Sequence, residues 1–87
     1  MRRSKQAHLK RAGLLPLVNA LARAEVPCVI GTAEERLSVG VWGRDVNAWV
    51  RRSGETWELT TRSRDGATST ETVDALTDVV AELRKIL

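Results

Sequence analysis

Residues 37–62, which read LSVGVWGRDVNAWVRRSGETWELTTR, decide the fold because apolar and polar or small side chains alternate through them. The alternation comes in three runs, separated by the turn signals Gly-Arg-Asp and Ser-Gly, at residues 37–42, 46–51 and 56–62. A period of two places successive side chains on opposite faces of a β-strand. The stretch therefore predicts an antiparallel β-meander with one apolar face.

The two turns predict registers that can be compared with each other. A tight turn between the first two runs pairs Val39 with Val50, and a tight turn at residues 53–54 pairs Val50 with Trp57. Both registers place the same residues of the middle run on the apolar face, so the predicted meander is internally consistent.

The segment before the meander predicts a helix and a fourth strand. Pro16 suits the first turn of a helix, and an apolar stripe follows it at Leu17, Val18, Ala20, Leu21 and Ala24. Pro27 ends helical geometry and begins an extended run through Ile30. We expect this run to join the sheet beside the first strand of the meander.

The segment after the meander predicts a second helix. Thr68 followed by Glu71 resembles a capping box. Apolar residues then recur at spacings of three and four, at Val73, Leu76, Val80, Leu83 and Leu87. The predicted class is α+β: an N-terminal helix, an antiparallel meander of three to four strands and a C-terminal amphipathic helix.

This order of elements resembles that of double-stranded-RNA-binding domains in topology alone. The last helix of those domains begins with basic residues, whereas residues 70–74 here read TETVD. Acidic residues at that point repel phosphate, so the resemblance does not carry RNA binding over to this chain.

Length and charge predict one domain with a basic arm. The chain has 87 residues, which suffices for a single small core. Residues 1–12 carry five basic side chains and no acid, whereas residues 13–87 carry nine basic and eleven acidic ones. We therefore divide the chain into an arm, residues 1–13, which is either disordered or helical, and a folded α+β domain, residues 14–87.

The inventory of reactive side chains gives no support to catalysis or metal binding. One cysteine, Cys28, and one histidine, His8, can form neither an intramolecular disulfide nor a zinc site of four ligands. The adjacent carboxylates of Glu34 and Glu35 diverge in a loop. We expect no enzyme, no metal and no cofactor, with Cys28 as a buried strand residue.

Composition also predicts where the protein occurs. The longest apolar stretch is broken by Pro16 and falls short of the roughly 20 residues that span a bilayer. Arginine outnumbers lysine eleven to three, which is typical of a bacterial or phage genome rich in G and C. We expect a cytoplasmic protein without membrane contact.

The polar face of the meander is the candidate binding surface. It carries Trp42, Trp49, Arg51 and Arg62, and tryptophan and arginine are enriched at protein-binding hot spots. Two interpretations stay open for Trp42 and Trp49: an exposed binding patch, or a core that a helix or the arm covers. Trp57 belongs to the apolar face and is expected in the core.

These features predict a small protein-binding module, of an accessory, inhibitor or immunity type, that uses the Trp/Arg face or a sheet edge. An exposed edge could equally pair with a second copy and form a homodimer. The alternative is a nucleic-acid-binding protein whose arm binds phosphates through Arg2, Arg3, Lys5, Lys10 and Arg11.

Overall fold

The computed structural model describes residues 8–33 and 36–87. Its elements are α1 (Leu15–Arg23), β1 (Val29–Ala33), β2 (Arg36–Trp42), β3 (Val46–Ser53), β4 (Thr56–Ser63), β5 (Thr68–Val73) and α2 (Leu76–Lys85). A helical turn at residues 8–11 precedes α1. The predicted α+β class is confirmed, but the sheet has five strands instead of three to four.

The strands form one antiparallel sheet in which each strand pairs with the next along the chain. One row of paired residues crosses four strands and is apolar throughout, namely Ile30, Val39, Val50 and Leu59. The pairing of Val39 with Val50 confirms the register predicted between β2 and β3. This row fixes which sheet face can be buried.

Both helices pack on the face that carries this row. The core joins Leu17 and Leu21 of α1 and Val79 and Leu83 of α2 to the sheet, and none of the four is exposed. Other core members come from the sheet, from the chain before α1 and from the segment between α1 and β1, namely Leu9, Leu14, Val26, Val39, Val41, Ala48, Val50, Trp57 and Leu59. No side chain of the opposite sheet face belongs to this core.

The entry to α1 follows the sequence prediction. Gly13 adopts a positive φ of 76° and ends the helical turn at residues 8–11, and its amide donates to the carbonyl of Lys10. Pro16 lies in the first turn of α1, where a missing amide hydrogen costs nothing. Arg52 of β3 packs against this junction and donates to the Gly13 carbonyl at 3.4 Å. The junction therefore holds α1 and the preceding turn against the sheet.

The capping box predicted at Thr68 and Glu71 is wrong, because both residues lie in β5. The threonine-rich sequence of this strand favours extended geometry, and a tight turn from Ser63 returns the chain beside β4. Thr70 then shares a side-chain hydrogen bond of 3.0 Å with Thr60. Helix α2 starts later than predicted, at Leu76, so the acidic stretch used in the RNA-binding comparison begins in a strand.

The register predicted between β3 and β4 is wrong by two residues. Val50 pairs with Leu59, and Arg52 pairs with Trp57. The hairpin closes at Ser53, which pairs with Thr56, so residues 54–55 form the loop. Gly54 has the positive φ, 60°, that a type II′ turn requires at its first loop position. A shift of two residues preserves the face of every side chain, so the predicted apolar face is unchanged.

Among the glycines of the described chain, Gly43 has the closest backbone neighbours. A Cβ built at this residue would lie 2.1 Å from the carbonyl oxygen of Ile86 and 2.5 Å from that of Val46. Its amide donates to the same Val46 carbonyl at 2.9 Å. Only glycine allows the chain after α2 to come this close to the β2–β3 turn.

We predict that Gly43→Ala lowers the free energy of unfolding by about 1–3 kcal/mol, because the methyl group must displace backbone atoms. The matched control is Gly31→Ala, since a Cβ at Gly31 would meet no atom within 4 Å. Urea unfolding followed by circular dichroism measures both changes. Equal stability of the two variants would contradict the close approach.

Candidate functional site

The candidate site lies on the sheet face opposite the helices, which we call the open face. Pairing places its side chains in rows across the strands. One row contains Val29, Gly40, Trp49, Thr60 and Thr70. The next row contains Trp42, Asn47, Arg62 and Thr68. The two tryptophans therefore occupy diagonal positions on neighbouring strands, as predicted.

Three side chains and a glycine form an apolar patch at one end of the open face. We call this the Trp42 patch, and its members are Val29, Gly40, Trp42 and Trp49. Trp42 is 56% exposed and Val29 is 45% exposed, whereas Trp49 is partly buried. Neither helix covers Trp42, so the interpretation that a helix buries it is wrong, whereas the predicted cover by the arm concerns residues 1–7, which lie outside the described residues.

Gly40 shapes the Trp42 patch through its missing side chain. A Cβ at Gly40 would lie 3.2 Å from Cγ2 of Val29 and 3.5 Å from Cη2 of Trp42. The Trp42 ring therefore folds back along its own strand and lies over the backbone of Gly40. This position brings the ring close to Val29 and leaves its outer surface open to solvent.

A shallow groove of about 370 Å³ runs along the Trp42 patch towards Gly31. Its walls are Val29, Trp42 and Trp49, and its remaining lining residues are Gly31, Thr32, Ser38 and Gly40. The two glycines lower the groove floor, because neither contributes a side chain to it. The groove is large enough to receive an apolar side chain of a partner.

A charged cluster lies beside the Trp42 patch on the same face. Nη2 of Arg51 is 3.6 Å from Oε1 of Glu58, and Nη1 of Arg36 is 3.5 Å from Oε2 of the same carboxylate. Arg36 also donates to the carbonyl of Arg52 at 2.8 Å. Arg51 is only 9% exposed, so it supports the surface more than it presents itself to a partner.

Arg62 is the exposed arginine of the predicted set. It pairs with Asn47, which in turn pairs with Trp42, so a cation lies in the same row as the exposed indole. The structure thus places all four predicted residues, Trp42, Trp49, Arg51 and Arg62, on one face. Their roles in binding stay a prediction.

Sequence reasoning missed the contribution of β1 to this surface. Val29 pairs with Gly40 and Gly31 pairs with Ser38, so these two residues lie on the open face and extend the patch. The signal was present in the alternation of Val29, Ile30 and Gly31, because the pairing partner of Ile30 is the buried Val39. Because Ile30 faces the helices, its neighbours Val29 and Gly31 lie on the open face.

Trp57 lies on the helix face, as predicted, and is 2% exposed. The guanidinium carbon of Arg52 lies 4.1 Å from the centroid of the Trp57 ring, which is a cation–π contact. Nε of Arg52 also donates to the Gly54 carbonyl at 3.0 Å. Arg52 therefore covers one end of the core on the helix face and does not belong to the open face.

The predicted phosphate-binding arm is described only in part. Arg2, Arg3 and Lys5 lie outside the described residues, whereas Lys10 and Arg11 are exposed. Lys10 lines a groove of about 610 Å³, whose other charged lining residues are Arg23 and Arg52. This groove lies on the helix side of the molecule, away from the Trp42 patch.

Within residues 8–33 and 36–87, no cluster of three histidine, cysteine or acidic side chains could hold a metal ion. Cys28 is only partly buried and directly precedes β1. Burial raises the pKa of its thiol, which keeps it protonated and weakly nucleophilic at neutral pH. No helix in the described part of the chain is long and apolar enough to cross a membrane.

Comparison of the chain with protein-family models, curated proteins and solved structures finds no match. The open face therefore has to be interpreted from its own chemistry.

We predict that iodide quenches the emission of Trp42 much more than that of Trp57. Trp42 is 56% exposed, so Trp42→Phe removes most of the quenchable emission, whereas Trp57→Leu removes emission that iodide barely reaches. Stern–Volmer plots of the two variants against the native protein measure the difference. A native protein with uniformly blue, unquenched emission would contradict the exposure of Trp42.

Proposed function

We propose that this protein is a non-enzymatic protein-binding module that docks a partner on its open face. The observation that carries the proposal is the exposed ring of Trp42, seated over Gly40 and beside Val29, on a sheet face that neither helix covers. An accessory, inhibitor or immunity-type role fits such a module. The proposal assigns no catalytic role to any residue.

The Trp42 patch has the composition of a binding hot spot. A large aromatic ring gives much apolar contact area and has few rotatable bonds to immobilise on binding. Trp42 is held by its contact with the Gly40 backbone, so part of its conformational entropy is already lost before a partner arrives. The groove beside it accepts a side chain from the partner.

The charges of the open face indicate the chemistry of the partner. The described part of this face carries Arg36, Arg51 and Arg62 against one carboxylate, that of Glu58. Arg62 is exposed in the same row as Trp42, and no carboxylate of the described residues lies within ion-pair distance of it. A partner surface with an apolar side chain next to carboxylates is complementary to this arrangement.

We predict that Trp42→Ala abolishes partner capture while the domain stays folded, because the exposed ring contributes little to the core. The native protein and the variant are immobilised, lysate from the source cells is passed over both, and mass spectrometry quantifies the captured proteins. A candidate partner is then purified, and calorimetry measures its binding to both forms. We expect a loss of at least about 30-fold, the effect of a 2 kcal/mol hot spot.

The matched control is Leu87→Ala, since Leu87 is 53% exposed but lies after α2. This variant should retain the partner fully. The proposal would be overturned if Trp42→Ala and Trp49→Ala captured the partner as well as Leu87→Ala does. If labelled single-stranded oligonucleotides bind instead, with steep salt dependence and sensitivity to Trp42→Ala, the partner is a nucleic acid.

A further inference from the structure

The outer edge of β1 is an open pairing site. Strand β1 lies at the end of the sheet order, and within the described residues only β2 pairs with it. Its sequence, VIGTA, contains neither proline nor a charged residue. Sheet edges are commonly protected from pairing by lysine, proline or a bulge, and β1 carries no such residue.

The open face of β1 is complementary to itself. Val29 projects an apolar side chain that is 45% exposed. Two residues further on, Gly31 leaves a gap, since a Cβ there would meet no atom within 4 Å. Both residues lie on the open face, because their partners on β2 are Gly40 and Ser38. A valine side chain from a neighbouring strand fits the gap at Gly31.

Charge distinguishes β1 from the other surfaces on which two copies could meet. Within Val29–Ala33, pairing along β1 brings no like charges together, because this stretch is uncharged. Pairing along β5 would instead bring the Glu71 carboxylates of both copies near the joint. Open-face stacking would place arginines such as Arg62 against arginines, which is unfavourable.

We propose that two copies of this chain pair antiparallel along β1, with a two-fold axis at Ile30. In this register Val29 of each copy lies opposite Gly31 of the other and occupies the gap that the missing side chain leaves there. A two-fold interface requires that each contact occur twice, and this register satisfies it. The result is one continuous sheet of two copies, with all helices on the same side.

The dimer places the two Trp42 patches on one continuous surface. Each patch begins at Val29, directly beside the new joint, so the patches of the two copies become neighbours. The dimer does not depend on the proposed partner, since the joint uses backbone groups of β1 and the partner uses Trp42. The two proposals therefore fail separately.

Sedimentation over a concentration series tests the dimer with the full chain. We expect the native protein to reach twice the monomer mass of 9.6 kDa at high concentration. Val29→Lys should stay monomeric throughout the series, because the ammonium cannot enter the apolar gap at Gly31. Leu87→Lys adds the same charge at a similarly exposed site and should dimerise like the native protein. Circular dichroism checks that both variants are folded.

Disulfide cross-linking tests the register. In a Cys28→Ser background, Ile30→Cys places the two thiols opposite each other on the axis, within the Cα separation of a disulfide. Thr32→Cys is the control, because its two copies lie four residues apart along the joint, roughly 13 Å. Mild oxidation should cross-link the first variant rapidly and the second barely.

Three results would overturn the proposal: a native protein that stays monomeric at all concentrations, a Val29→Lys variant that still dimerises, or faster cross-linking of Thr32→Cys than of Ile30→Cys. Loss of partner capture by Trp42→Ala in a monomeric protein would leave the proposed function standing without the dimer. A protein that forms the dimer but captures no partner would leave the dimer standing without the proposed function.

Discussion

The fold depends on the apolar row that runs from Ile30 through Val39 and Val50 to Leu59. Because side chains alternate along each strand, burial of this row under two helices determines the position of every other strand residue. Slippage of β2, β3 or β4 by one residue would expose apolar side chains and bury charged ones. The row thus determines both the core and the composition of the open face.

This constraint explains why a chain with only three tryptophans leaves one of them largely exposed. A domain of this size has two helices, and both are needed to cover the apolar row. Trp57 shares that side and is buried beneath Arg52, whereas Trp42 is placed by alternation on the other side. Strand pairing determines the face of Trp42, the helices leave that face uncovered, and the Trp42 ring lies over the neighbouring Gly40.

The sequence predicted most of what strand alternation controls. The pairing of Val39 with Val50, the burial of Trp57 and the shared face of Trp42 and Trp49 follow from the period of two. The position of the β3–β4 turn was harder to predict. The Ser-Gly signal is compatible with two loop positions, and both leave every side chain on the same sheet face. Only the complete pairing of β3 with β4 distinguishes them.

The fifth strand was missed for a different reason. Thr68 and Glu71 have the spacing of a capping box, and Val73 continues the apolar stripe of α2 backwards at a helical interval. Local sequence patterns cannot distinguish the start of a helix from a strand here, because pairing with β4 across the turn after Ser63 decides between them. The exposure of Trp42 was equally out of reach, because it depends on which face the helices cover.

The two proposed interfaces use different parts of the same sheet. Pairing along β1 uses backbone donors and acceptors, which any extended strand offers, and its selectivity rests on the fit of Val29 beside Gly31. Docking at the Trp42 patch uses side chains, so its selectivity rests on shape and charge. A dimer would hold two patches at a fixed distance on one rigid surface. A partner that contacts both patches then pays the entropy of association once, and binds more tightly than either patch alone allows.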